Sequence, residues 1–142
     1  YISNLTNITN EMVQNKPTIK TVLKRFLEFC GNKPNTYLIA HNLIGFDKQF
    51  LERKLYSCRM RVPDNWKYID SLHLAQYLFP DRYSHSMKSL TSHFNIRQKE
   101  AHRAYSDVQD LHKIYNILMI EFNDKFKTEE PEDVIKALYG TH

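Results

Sequence analysis

Two short hydrophobic segments, set among amphipathic helices, constrain the fold of this chain more than any other feature. Tyr37–Ala40 and Trp66–Ile69 have the pattern of short buried strands, and Pro63–Asn65 before the second is typical of a turn. Apolar residues at helical spacing precede, separate and follow the two segments. This helix–strand–helix–strand–helix order predicts an α/β fold. Because two short strands are too few for a self-sufficient sheet, we expect further strands to belong to it.

Apolar periodicity and capping residues predict the helices around these strands. Thr18 precedes the first and Gly31 follows it, while Pro80 stops the third. The predicted helices run from Thr18 to Cys30, Asp47 to Ser57, Asp70 or Ser71 to Phe79, Ser86 to Phe94 and Ala104 to Asn123, with a short last one from Pro131.

The longest predicted helix closes the main domain. One face stays apolar for its whole length and comprises Ala104, Val108, Leu111, Tyr115, Leu118 and Phe122. The chain of 142 residues fits one domain, and its last part is polar. We therefore assign residues 1–123 to that domain and residues 124–142 to a polar C-terminal tail that holds one short helix.

Composition excludes several classes of protein. Hydrophobic residues make up 42% of the chain, which rules out wholesale disorder, and only three glycines argue against a Gly-rich phosphate loop. No apolar run approaches the ~20 residues of a membrane helix and no leader pattern opens the chain, so we expect an intracellular protein without a membrane partner. The net charge of +4 permits a polyanionic partner without demanding one.

A polar loop and a carboxylate follow the first predicted strand. The strand leads into His41–Gly45, and Asp47 then stands at the start of a helix. Sheets of this class present functional groups just beyond the carboxyl ends of their strands, which favours a functional Asp47. The alternative is that Asp47 is an ordinary helix-capping residue.

A histidine and an aspartate stand at the head of the longest helix. His102 precedes Asp107 by five residues. Asp107 is next to Val108, so we expect its carboxylate to lie at the edge of the apolar face and to lean over the sheet. The alternative is a surface aspartate beside an ordinary histidine.

Together with their flanks, these two strings resemble the DEDDh branch of the DnaQ-like 3′→5′ exonucleases, which have a ribonuclease-H-like α/β fold. His41-Asn42 with Phe46-Asp47 resembles the second motif of that family, and His102-Arg103-Ala104-x-x-Asp107 resembles the third. Supporting matches cover roughly residues 2 to 120 and comprise Asn7–Val13, Phe50-Leu51, Asp70–Leu72 and the stretch from Ser89 to Ile96.

The resemblance implies an active site and its cofactors. Asp47 and Asp107 would be ligands of a Mg²⁺ or Mn²⁺ pair, and His102 would be the general base that deprotonates the attacking water. His41, Asn42 and Phe46 would position the substrate, which is the single-stranded 3′ end of DNA or RNA, and a polymerase is a further expected partner. Asp70 we assign to helix capping.

Two departures from the family pattern qualify this implication. Three residues separate Asn42 from Phe46, where bacterial proofreading members more often have two. A D-x-E motif on a strand is not found before Asn7, and the first three strands of the family would lie there as well. We therefore expect an exonuclease fold that is incomplete at its N-terminus and an incomplete two-metal site. The alternatives are a non-catalytic module that binds nucleic acid or a polymerase, and an α/β domain without an active site.

Overall fold

The computed structural model describes residues 18–96 and 104–140, with residues 104 and 105 described by their backbone alone. The resemblances at Asn7–Val13 and His102 lie outside these residues. The elements are α1 (Ile19–Cys30), β1 (Thr36–Ala40), a π-helical turn (Leu43–Asp47), α2 (Lys48–Ser57), β2 (Trp66–Asp70), α3 (Ser71–Leu78), α4 (Met87–His93), α5 (Ala104–Phe126) and α6 (Pro131–Tyr139).

The two predicted strands form a parallel pair. Thr36 is opposite Trp66 and Ala40 is opposite Asp70, so the strands end level with each other. The connection between them runs through α2, as a parallel pair requires. The predicted α/β class is confirmed.

Side chains of the strands alternate between two helical layers. Tyr37, Ile39 and Ile69 contact the large core, which is built with α3, α4, α5 and α6. Leu38 and Tyr68 contact the small core, which is built with α1 and α2. The pair of strands is thus covered by helices on both faces, which is the usual condition of a parallel sheet.

Local sequence signals account for the helix boundaries. The Thr18 hydroxyl accepts from Thr21 N–H at 3.3 Å, and Gly31 has a left-handed φ of 69°, so both predicted ends of α1 are confirmed. Ser86 caps α4 in the same way, with its hydroxyl 3.1 Å from Ser89 N–H. None of the described helices is long and apolar enough to cross a membrane.

The buried face of α5 differs from the apolar face that the sequence predicts. Val108 is 60% exposed, so its predicted inward position is wrong. The helix continues beyond Asn123 to Phe126. Its buried side chains recur every four residues and are Asp110, Ile114, Leu118 and Phe122, of which the three apolar ones belong to the large core. Asp107 lies in the first turn and is exposed.

The C-terminal helix α6 is part of the large core. Val134 is fully buried there. The Tyr37 hydroxyl donates to Glu132 Oε1 at 2.6 Å, and Lys67 pairs with the same carboxylate. The sequence predicts a separate polar tail beyond residue 123. In the structure, Glu132 of this segment contacts both strands.

Candidate active site

The candidate site lies where the two strands end. Ala40 and Asp70 are opposite each other, so the segments that follow them start side by side. After β1 come His41 and the π-helical turn, whereas β2 leads directly into α3. Ligands of open α/β sheets bind at this edge.

The π-helical turn accommodates the unusual spacing between Asn42 and Phe46. Asn42 has a left-handed φ of 63°, and the Lys48 N–H bonds to the carbonyl of Leu43, five residues earlier. A π-helical turn holds one residue more than an α-helical turn, so the third intervening residue fits without unwinding α2. A Cβ on Gly45 would lie 2.7 Å from Asn42 Oδ1, so a larger residue there would displace the Asn42 side chain.

Asp70 fastens this turn to the rest of the sheet edge. Its fully buried carboxylate accepts N–H bonds from Asn42 at 2.8 Å, Ile44 at 3.0 Å and Leu72 at 3.0 Å. The bond from Leu72 caps α3, which confirms the capping assignment. The other two bonds hold the turn after β1, a role that local sequence does not reveal because they span 28 and 26 residues.

Asp47 differs from Asp70 in that its carboxylate is exposed. It occupies the N-cap position of α2, yet its side chain makes no capping hydrogen bond. Although Asp47 is exposed, neighbouring atoms remove part of its water, and this, with secondly the negative charge of Asp70, raises the pKa of Asp47 above its usual range. The alternative of a plain capping role therefore lacks the hydrogen bond that defines it.

His41 connects three segments of the site. Its Nε2 lies 2.6 Å from the His85 carbonyl, and its Nδ1 lies 2.9 Å from Ser71 Oγ. Since a carbonyl only accepts, Nε2 carries the proton and the Ser71 hydroxyl donates to Nδ1 in the neutral ring. Burial lowers the pKa of His41, more than the His85 carbonyl and the Asp70 charge raise it. Both ring nitrogens of this predicted substrate-positioning residue are thus bonded to protein.

Tyr139 of α6 also reaches this edge, which the sequence analysis missed. Its hydroxyl accepts from Asp70 N–H at 3.1 Å and lies 3.0 Å from His73 Nδ1. The two rings pack edge to face. A signal was present, because Val134, Ile135, Leu138 and Tyr139 recur at helical spacing in a segment otherwise counted as polar.

The predicted site residues that the structure describes thus lie in two places. His41, Asn42, Phe46 and Asp47 lie along the segment between β1 and α2, with Phe46 64% exposed and Asn42 exposed. Asp107 lies in the first turn of α5, and His102 is outside the described residues.

The donor set fits a divalent metal only in part. Carboxylate oxygens are the ligands that Mg²⁺ and Mn²⁺ prefer, so the chemistry of Asp47 and Asp107 is suitable. Within residues 18–96 and 104–140, however, no group of three or more histidine, cysteine, aspartate or glutamate side chains is placed to hold a metal ion. The described residues alone do not provide a two-metal site.

Comparison with known families identifies the chain. The model of the family described as "Exonuclease" matches residues 1–115. The chain belongs to this exonuclease family. The DnaQ-like resemblance is therefore confirmed, and the parallel strands covered by helices agree with the ribonuclease-H-like fold of that family. Exonucleases of this type depend on divalent metal ions.

Relatives of the exonuclease family include parts of much longer proteins. The chain is 34% identical over 137 residues to a DNA polymerase III PolC-type protein of Clostridium perfringens, covering 96% of this chain and 9% of that protein. It is 34% identical over 126 residues to the exonuclease DPD1, chloroplastic/mitochondrial, of Arabidopsis thaliana, covering 80% of this chain and 40% of that protein.

A third relative is the 3′-5′ exonuclease DinG of Bacillus subtilis. The identity is 26% over 138 residues, which are 97% of this chain and 14% of that protein. This exonuclease-family chain therefore spans less than half the length of each of these curated relatives. No solved structure is significantly similar to it.

Proposed function

We propose that this chain is a metal-dependent 3′→5′ exonuclease that hydrolyses phosphodiester bonds at the 3′ ends of single-stranded DNA or RNA. One observation carries the proposal. In a chain of the exonuclease family, the Asp47 carboxylate is exposed at the carboxyl edge of the strands and makes no capping bond. The nearby charge of Asp70 makes this place favourable for a cation.

The roles follow the chemistry of the side chains. Asp47 and Asp107 are the proposed metal ligands, and His102 is the proposed general base. Divalent ions supply positive charge that stabilises the phosphate oxygens of a phosphodiester during hydrolysis. Asn42 and Phe46 are exposed beside Asp47 and contact the substrate, whereas His41, with both ring nitrogens bonded to protein, acts by holding the turn that carries them.

Partners and location rest on the relatives and on the sequence. The PolC-type relatives are named as DNA polymerases, so a polymerase is the proposed protein partner. The intracellular location stays a prediction.

The test is degradation of a 5′-labelled single strand by this chain, with Mn²⁺ or with a chelator. Because the described residues do not provide a full two-metal site, we expect a weak but metal-dependent ladder of shortened products. Asp107→Ala and Asp47→Asn should each abolish it without loss of helical circular dichroism. Asp81→Asn, an exposed aspartate after α3, is the matched control and should leave the ladder unchanged. Degradation that survives both Asp47→Asn and Asp107→Ala would contradict the ligand assignment.

The second candidate is a non-catalytic module that binds nucleic acid or a polymerase. It is favoured by the absence, among the described residues, of three side chains grouped to hold a metal. This candidate predicts nucleic-acid binding that survives both the chelator and Asp107→Ala, with no shortening of the strand. Metal-dependent shortening by the unaltered chain would exclude it.

A further inference from the structure

An exposed row of aromatic rings begins beside Asp47 and continues along α2. The rings of Phe46 and Phe50 are stacked, with centroids 6.4 Å apart and planes at 11°. They are 64% and 52% exposed, which is unusual for two adjacent large apolar side chains. Lys54 extends the row, because its Nζ lies 5.4 Å from the centroid of the Phe50 ring.

Beyond Asp47, which stands at its start, the same side of α2 carries positive charge only. Arg53 stands three residues after Phe50 and one before Lys54, so it lies on this side of the helix and is exposed. The one acidic residue of α2, Glu52, bonds to Lys48 and to the Tyr68 hydroxyl beside the strands. We call the exposed set Phe46, Phe50, Arg53 and Lys54 the α2 stripe.

A basic hollow lies at the far end of the α2 stripe. Its volume is about 560 Å³, and its lining comprises Tyr56, Ser57, Arg59, Met60 and Arg61. Ser57 stands seven residues after Phe50 and so continues the stripe into the hollow. A helix of this length spans about 15 Å. Arg61 pairs with the exposed Asp64, so Arg59 is the main source of positive charge in the hollow. An aromatic and basic surface therefore leads away from Asp47.

We propose that the α2 stripe and the hollow bind the single strand upstream of its 3′ end, with bases stacked on Phe46 and Phe50 and phosphates paired with Arg53 and Lys54. Alternating rings and cations are how proteins hold single-stranded nucleic acid without reading its sequence. Duplex nucleic acid is a poorer fit, since its base faces are already stacked. The inference rests on the proposed function, because it assigns the 3′ terminal nucleotide to the Asp47 end.

The binding test uses the full chain, a chelator and a 5′-fluorescein-labelled single-stranded oligothymidylate, followed by fluorescence anisotropy. Phe50→Leu keeps an apolar side chain but removes the ring, and we expect it to weaken affinity roughly five- to tenfold. Lys54→Gln should lower the slope of log affinity against log salt by about 0.7. Phe29→Leu on α1, where Phe29 is 87% exposed, and Lys88→Gln on α4 are the matched controls and should bind like the unaltered chain.

A second measurement locates the stacked base. Single abasic sites are placed at successive positions from the 3′ end, and each strand is titrated with the unaltered chain and with Phe50→Leu. When the abasic site replaces the base that stacks on Phe50, the unaltered chain and Phe50→Leu should bind that strand with equal affinity. An effect of Phe50→Leu that is equal for every abasic position would overturn the assignment of a base to this ring.

These outcomes separate the inference from the proposed function. If the chain shortens the strand but the stripe variants bind like the unaltered chain, the inference is overturned and the exonuclease proposal stands. If the stripe variants lose binding in chelator while no metal supports shortening, the inference stands and the exonuclease proposal fails. If the variants abolish self-association of the chain and leave nucleic-acid binding unchanged, the stripe contacts a second copy and the inference is overturned.

Discussion

Asp47 and Asp70 occupy the same edge of the strand pair and have opposite environments. Asp70 is fully buried and accepts three backbone N–H bonds, whereas Asp47 is exposed and makes no capping bond although it precedes a helix. The difference shows that position at a strand's end does not decide what a carboxylate does. The number of N–H groups that converge on it decides whether it is bonded within the fold or left exposed without a capping bond.

Chain connectivity produces this difference. Asp70 ends β2 and α3 begins at the next residue, so the Leu72 N–H in the first turn of that helix points at its carboxylate. After β1 the chain needs the π-helical turn before α2 begins, and that turn gives its own N–H groups at Asn42 and Ile44 to Asp70. Asp47 follows at the end of the turn, where no such groups remain for its side chain to cap.

The largest expected effect is that of Asp70→Ala on stability. Three buried N–H groups would lose their acceptor, so we expect the free energy of unfolding in urea to fall by about 3 kcal/mol or more. Asp70→Asn, which keeps one acceptor oxygen, should lose less. A loss below about 1 kcal/mol for Asp70→Ala would show that water replaces these bonds and that the contrast with Asp47 is wrong.

A smaller effect is expected at His41, which braces the same edge. His41→Ala leaves the Ser71 hydroxyl and the His85 carbonyl without this partner, which should cost about 1–2 kcal/mol in urea unfolding. The exposed His93 is the matched control, and His93→Ala should change the stability little.

His41 also makes the stability of the fold depend on pH. Its pKa in the folded chain is below the usual 6.5 of histidine, so the unfolded chain binds the proton more readily. The His41 contribution is therefore present above pH 6.5 and is lost as the pH falls through the lowered pKa. Urea unfolding of the unaltered chain and of His41→Gln across this range should show a shallower decline for the variant, and equal slopes would contradict the burial argument.

Glu132 provides a weaker brace, at the other end of α6 from Tyr139. Lys67, and secondly Tyr37, lower the pKa of Glu132 below its usual 4.5. Its contribution is therefore present above pH 4.5 and is lost as the pH falls through the lowered pKa. Because the Lys67 and Glu132 side chains are about 40% exposed, solvent screens the pair. The loss of stability in Glu132→Gln should therefore be smaller than that in His41→Ala.

Hydrogen exchange of α6 amides measures this loss. Protection in Glu132→Gln should fall slightly and should depend less on pH below 4.5 than in the unaltered chain. Glu129→Gln, at an exposed position before α6, is the control and should show the pH dependence of the unaltered chain.

The smallest effect on stability is expected for Asp47→Asn, and this variant tests the difference between Asp47 and Asp70 most directly. The variant removes a carboxylate that caps nothing and that faces the negative charge of Asp70, so the free energy of unfolding should stay the same or rise slightly. Urea unfolding should thus leave Asp47→Asn at or above the unaltered chain, while the labelled-strand assay shows loss of cleavage. Marked destabilisation would make Asp47 a structural residue like Asp70.

Much of the fold was predictable because its signals are local. Each of these signals involves residues that are close together in the sequence. This holds for the two strands at 36–40 and 66–70, for the caps at Thr18 and Ser86 and for the helix-capping role of Asp70. The inward position of Val108 was predicted wrongly, because several apolar stripes fit α5 and only its packing partners select one.

By itself, the sequence determined the α/β order of elements and the motifs that mark an exonuclease, since both are patterns of neighbouring residues. Only the tertiary structure decided that Asp70 is buried and hydrogen-bonded whereas Asp47 is exposed. The parallel register brings Ala40 level with Asp70, and α6 folds back so that Tyr139 meets the same strand end. These contacts join residues 30 and 69 positions apart, and such distances leave no periodic trace in the sequence.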